Sequence, residues 1–426
     1  MSVSENSTRI PTRSRASEVP VARDSEGEGA TLMLVSIGHF FSHYYALLLP
    51  PLFPFLKAEF GVTYLQLGLA MTAYGLLGGV AQAPVGFLVD RIGPRTVLLV
   101  GLGMNTCAVL LMGFADSYWL LLFFAVLAGL GNSVFHPADY AILNSSIKEK
   151  ALGRAFSIHT FAGFLGGACA PVSVLVLAQW TSWRTALIIA GLAGLVALAT
   201  MVWQRSLLGD ASPTKLNEDI DSASARHDRR GVRLLLSLPV LLFLLFFILY
   251  GMSSGGLIAF IGAGLVKIHH VSLTDANTAL SAHLFGVVAG ILMAGVIASR
   301  FTRHMVTATC ALLLAAGATA LVVVVPSSPL LLIALLTASG VGLGAVLPAR
   351  DLMIRALAPP GEVGKVFGFV FVGYSIGLSA APILFGWFLD IDRAALVFVL
   401  AAACALLALL AIARAHSLTA MRTLND

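Results

Sequence analysis

The stretch Gly86-Phe87-Leu88-Val89-Asp90-Arg91-Ile92-Gly93-Pro94-Arg95 sets one acid and two arginines between two long apolar segments. Gly93 and Pro94 dictate a turn, Asp90 suits a helix end, and Arg91 and Arg95 prefer the cytoplasmic interface of a membrane. The stretch reads as a tight inner loop between two membrane helices.

The composition agrees with that reading. The 426 residues are 58% hydrophobic and 11% charged, whereas a soluble protein carries about 25% charged residues. A spanning helix needs about 20 mostly apolar residues. Twelve such segments are expected, at 31–56, 63–89, 95–115, 117–143, 150–179, 182–204, 234–265, 273–299, 304–325, 328–356, 363–389 and 392–413. An even number of spans puts both termini on one side. Lys57, Arg184, Lys267 and Arg393 are the only basic residues expected in outer segments, and the other 22 of the 26 fall in inner ones. Positive loops are retained in the cytoplasm, so both termini are expected there, in a multi-pass protein of the inner (plasma) membrane. The net charge of +5 is spread around the inner rim, with no basic face for nucleic acid. Residues 1–30 read as a disordered cytoplasmic tail and not as a signal peptide. Cys107, Cys169, Cys310 and Cys404 fall inside expected spans, without disulfide or metal spacing.

The chain also repeats itself. A polar break at 205–233 reads as a cytoplasmic linker between bundles of six helices at 31–204 and 234–414, followed by a tail at 415–426. A shift of 211 positions matches Gly131 to Gly342, Pro137 to Pro348, Gly153 to Gly364, Gly166 to Gly377 and Pro171 to Pro382. The fold class expected is an all-α membrane protein of twelve helices in two pseudo-symmetric six-helix bundles. Parallel halves related by an axis along the membrane normal, with a site at their interface, are a transporter plan.

The polar residues inside the spans carry the candidate chemistry. His39 and His43 lie four apart, on one face of the first helix. Ionisable groups at that depth face a cavity or a partner, although two neutral histidines bonded to neighbouring helices fit equally. The pair also suggests a metal, but no third ligand with suitable spacing stands in the sequence, so no metal or other cofactor is expected. In the fourth helix, Pro137 loosens the turn before it, and His136 and Asp139 are co-facial neighbours suited to share a proton. His136 and Asp139, aided by His39 and His43, are therefore the expected proton-coupling group. His159 and His283 read as isolated packing or hydrogen-bonding residues. Ser42, Tyr44, Asn132, Tyr250, Ser253 and Ser254 are the expected walls of a substrate cavity. The shift of 211 makes Arg350 equivalent to Asp139, so an ion pair between them when the cytoplasmic side closes, with Asp351 competing, is expected to favour the outward-open state and to gate the inner side together with Gly86, Asp90, Arg91, Gly93 and Arg95.

The pattern Gly-x-Leu-x-Asp-Arg-x-Gly-x-Arg from Gly86 resembles the helix 2–3 loop of the major facilitator superfamily of secondary transporters, a resemblance that spans 31–414. The His39 and His43 segment with its Leu-Leu-Pro-x-x-x-Pro ending at Pro54, Gln66-Leu-Gly68-Leu, and Phe135-His136-Pro137 look like the fosmidomycin-resistance-type branch. Tyr44 and Tyr45 stand where related sequences often carry an acid, and the fourth helix has no embedded arginine. The resemblance implies proton-driven export of a small organic molecule, with Asp90 docking the loop against the start of the eleventh helix. Proton-coupled uptake of a metabolite is the alternative, and a non-transporting receptor a weaker one, because the outer loops are short. A monomer partnered by substrate, protons and the lipid bilayer is expected. Neither H-E-x-x-H nor a Gly-x-x-x-x-Gly-Lys loop is present, so the chain does not read as an enzyme.

Overall fold

The computed structural model describes residues 25–209, 234–300, 303–357 and 363–425. The expected tail over 1–24 and nearly all of the linker, 210–233, lie outside the described residues. The first half comprises α1 (Ser25–Ala46), α2 (Phe53–Phe60), α3 (Tyr64–Val80), α4 (Gln82–Ile92), α5 (Pro94–Met112), α6 (Tyr118–Asn132), α7 (Phe135–Ser146), α8 (Glu149–Trp180) and α9 (Trp183–Trp203). The second comprises α10 (Leu238–His269), α11 (Leu273–Arg300), α12 (His304–Leu321), α13 (Pro329–Leu357), α14 (Val363–Asp390) and α15 (Ala395–Asn425). Among the described residues, eleven helices are long and apolar enough to cross a membrane, and α3 with α4, bent by 53°, supplies a twelfth.

The breaks have local causes. Pro84 has no N–H for the Val80 carbonyl at the bend between α3 and α4. Pro137 does the same to the Ser133 carbonyl, and α6 stops at Asn132 before α7 begins at Phe135. Gly93, at φ 88, makes the turn into α5 that Gly93-Pro94 foretold. Thr63 caps α3 in a box with Gln66.

Three limits of the expected elements shift. Helix α1 starts at Ser25, not 31, with Glu28 paired to Lys148 at 2.9 Å. It ends at Ala46, and a 3-10 turn at Pro50–Leu52 leads into α2. At the other end α15 runs through the expected tail, since 415–425 holds neither Gly nor Pro and Ala411, Ile412 and Ala415 continue its buried stripe.

Packing repeats between the halves. α1 lies on α8 as α10 lies on α14, α3 on α6 as α11 on α13, and α5 on α9 as α12 on α15. The halves meet along α3 with α14 and α8 with α11. At the end of the molecule marked by Tyr64, the Asp390 carboxylate accepts the Tyr64 and Leu65 N–H groups at 2.8 and 2.9 Å. It thereby satisfies two of the donors that a helix start leaves unpaired, and Lys57 lies 3.9 Å away. The other seam is held by Gln179, which donates to Thr274 at 2.9 Å. The shift of 211 carries Gln179 to Asp390 and Thr63 to Thr274, so the two latches occupy equivalent places. At this end Lys267 donates at 2.6 Å to Asp392, which lies between two spans, and holds that carboxyl below the usual carboxylate range.

Candidate functional site

Helices α1, α7 and α8 bring five ionisable side chains together inside the first half. The α1 face that carries His39 and His43 rests on Gly163 of α8. A methyl group at Gly163 would lie 2.8 Å from His39 Cε1 and 3.0 Å from His43 Cδ2, so only glycine leaves room for both rings. His39 stacks on His159 of α8 at 3.9 Å between centroids and 9° between planes, and packs edge-on to His43 at 4.6 Å and His136 at 5.3 Å. Its Nδ1 bonds to the His159 carbonyl oxygen at 2.9 Å. As a carbonyl only accepts, Nδ1 carries the proton and the neutral ring keeps its lone pair on Nε2.

Behind this stack, His159 Nε2 meets Asp139 Oδ2 at 2.8 Å, with both side chains fully buried. Burial decreases outward: His39, His159 and Asp139 are enclosed, His43 and His136 are half-buried, and Tyr140, stacked on His136 at 5.9 Å, is 42% exposed. His39 Nε2, His136 Nδ1, His159 Nδ1 and Asp139 Oδ1 are buried without a hydrogen-bond partner. Beside the cluster, a largely apolar groove of about 510 Å³ runs along Ser36, Phe40 and Phe41 of α1 and Ile158 and Ala162 of α8.

The expected pairing of Asp139 with His136 is corrected. Asp139 bonds across to α8, and its partner is His159, expected to be an isolated packing or hydrogen-bonding residue. Two residues three apart share a face, but their side chains need not bond when a neighbouring helix offers a closer group. The reading that no third metal ligand exists also changes. His136 stands beside His39 and His43, with one ligand nitrogen of each within 4.8 Å of the others, and His39, Asp139 and His159 form a second such set.

Most of the expected cavity residues make hydrogen bonds within their own half. Ser42 donates to Asn132 at 2.6 Å, Tyr44 shares a 2.9 Å bond with Ser173, and Tyr250 donates to the Leu343 carbonyl at 3.0 Å. Ser253 and Ser254 are buried in α10. Hydroxyls within apolar helices find such partners because an unpaired polar group there is costly.

The gate divides similarly. Asp139 faces α8, and Arg350 bonds Asp351 at 3.0 Å while lying over the rings of Phe247, Tyr250 and Phe371 at 4.5, 5.4 and 5.3 Å. The Asp139–Arg350 pair, expected when the cytoplasmic side closes, is not formed in this conformation, where each group is bonded within its own half. Arg95 is likewise turned from the interface between halves, donating through two nitrogens to the Leu208 carbonyl at 2.9 and 2.6 Å and fixing the chain as it leaves α9. Gly86, Asp90, Arg91 and Gly93 form the end of α4 and its turn, where Asp90 and Arg91 are exposed.

A family model described as Major Facilitator Superfamily matches residues 35–263 and 242–420. The fosmidomycin resistance protein of Escherichia coli is 25% identical over 375 residues, covering 87% of each chain. An uncharacterised MFS-type transporter of Bacillus subtilis, YfnC, is 25% identical over 82% of this chain and 83% of its own. Among solved structures, a bacterial homologue of the human lysosomal transporter Spinster, inward-facing and unoccupied, superposes with a TM-score of 0.73 at 14% identity, over 92% of this chain and 96% of its own. The nucleoside transporter NupG gives 0.74 at 12% identity, over 90% and 99%.

Proposed function

Because the chain belongs to the Major Facilitator Superfamily of membrane transporters, we propose that it is a proton-coupled secondary transporter that exports a small organic molecule by alternating access. It acts in the plasma membrane as a monomer with both termini cytoplasmic. The observation that carries this reading is the fully buried His159–Asp139 pair, continued by stacked and edge-on imidazoles to the half-buried His43 and His136. An ionisable pair inside a membrane protein is retained for a function, and imidazole is the side chain that gains and loses a proton near neutral pH. A proton entering at His136 or His43 passes by ring rotation to His39, while Asp139 balances the charge through His159.

The Escherichia coli relative's name supports export of a small drug. The substrate carries little net charge, because the buried guanidinium of the second half, Arg350, is already held by Asp351 and three rings. The test is transport of a substrate panel in proteoliposomes under an imposed pH gradient. Asp139→Asn is expected to abolish gradient-driven transport and leave substrate exchange intact. Full gradient-driven transport in that variant would remove the cluster from the mechanism, and accumulation with the proton flow would make the protein an uptake symporter.

A further inference from the structure

We propose that His39, His43 and His136 form a binding site for a divalent transition-metal ion of the zinc type. Three imidazoles with one position left open are a set that Zn²⁺ accepts, and nitrogen donors favour zinc, cobalt, nickel or copper over magnesium and calcium. One ring nitrogen of each of the three lies within 4.8 Å of the others. A tetrahedral ion with Zn–N bonds of about 2.1 Å needs nitrogens about 3.3–3.5 Å apart, so closure asks for a contraction of about 1.5 Å at most. Rotation of half-buried His43 and His136 supplies it.

Two further observations point to a ligand. His39 donates Nδ1–H to the His159 carbonyl and leaves a buried, unpartnered Nε2 lone pair. That is how metal-binding histidines are held, one nitrogen tied to a carbonyl or carboxylate and the other free for the ion. His136 likewise has Nδ1 buried without a partner. The competing set of His39, Asp139 and His159 serves less well, because His159 Nε2 is already engaged by Asp139. Those two residues act as the outer support, locking the ring on which His39 stacks. Gly163 keeps the space open.

Metal and protons seek the same lone pairs, so binding weakens in acid and a bound ion blocks protonation. Only this consequence rests on the transport reading; the site itself does not.

The experiment uses the full chain, purified without a histidine tag and stripped with chelator, in lipid nanodiscs. Cobalt(II) is titrated as a spectroscopic probe and displaced by zinc. One ion per chain is expected, with the intense ligand-field bands of tetrahedral cobalt. His43→Ala and His136→Ala should each weaken binding by tenfold or more, and His283→Ala should not. Gly163→Ala, which keeps all three ligands but crowds them, should weaken it too. Absence of saturable binding at one ion per chain, or unchanged affinity in both His43→Ala and His136→Ala, would overturn the proposal. The transport reading is tested separately by Asp139→Asn, whose gradient-driven transport is measured without added metal.

Discussion

A single methyl group placed at the crossing of α3 and α14 should change which conformation the protein prefers. Gly68 lies against the backbone of Pro382: a Cβ there would fall 2.6 Å from the Pro382 carbonyl carbon and closer to its oxygen. Gly386, further toward the Tyr64 end, meets the Tyr64 carbonyl oxygen at 2.6 Å in the same way. Ordinary contact needs about 3.4–4 Å, so the helices must part by about 1 Å. Backbone atoms cannot step aside as the tip of a side chain can. Overpacking of this kind costs about 1–3 kcal/mol. The helix-propensity gain of Gly→Ala, about 0.5–1 kcal/mol, applies in every conformation and cancels from the equilibrium between them. The state closed at the Tyr64 end should then lose about five- to 150-fold in population relative to its alternative. Gly75, in the same helix with nothing within 4 Å of a Cβ, is the control. The assay is double electron–electron resonance between nitroxides at Asp116→Cys and Arg393→Cys, exposed positions in opposite halves, after Cys107, Cys169, Cys310 and Cys404 are replaced. Gly68→Ala and Gly386→Ala should add a longer distance, and Gly75→Ala should not. Distributions identical to wild type in both crossing variants would refute the view that the crossing sets the equilibrium.

Two further outcomes follow from the same geometry. Asp390→Asn removes the charge that receives the Tyr64 and Leu65 N–H groups and faces Lys57; at about 1.5–3 kcal/mol for hydrogen bonds to a charged group, it should produce the same longer distance, and an unchanged distribution would exclude the latch. Gly163→Ala should leave thermal unfolding within a few degrees of wild type but lower proton-driven transport at least tenfold by displacing His39 and His43, whereas retained transport would mean that the ring positions are immaterial.

The helices and their duplication were legible because each rests on a local signal: long apolar runs, Gly93-Pro94 and Pro137 at breaks, and glycines and prolines recurring at a fixed shift. The candidate site was half legible. His39 and His43 share a face by spacing alone, and His136 announced itself beside Pro137. What spacing leaves out is the distance between helices. His159 looked solitary because its partner lies 20 residues back on another helix. One signal did point to it: Gly163, one turn further along α8, is the gap against which the α1 histidines pack. The expected gate pair depends on the distance between helices too. The repeat correctly pairs Asp139 with Arg350 as equivalent positions, but equivalence under an axis does not make two residues touch, and each is satisfied by a neighbour in its own half.

That same equivalence shows how a symmetric scaffold carries asymmetric chemistry. The shift of 211 takes His39 to Tyr250, His43 to Ser254, His136 to Leu347, Asp139 to Arg350, His159 to Val370 and Gly163 to Tyr374. Several of these second-half residues are again neighbours: the Arg350 guanidinium lies 5.4 Å from the Tyr250 ring, and Tyr250 lies 5.9 Å from Tyr374. In the first half the α8 position is glycine, and the space it leaves admits two imidazoles. In the second it is tyrosine, and aromatic rings fill the space around a guanidinium. On the proposed coupling, the proton is exchanged in the half where the rings are histidines. The second half contributes instead an arginine paired with Asp351 and packed on the faces of Phe247, Tyr250 and Phe371. On the same proposed coupling, a change of protonation at the first-half histidines shifts the electrostatic balance between the halves without either bundle having to unfold or repack.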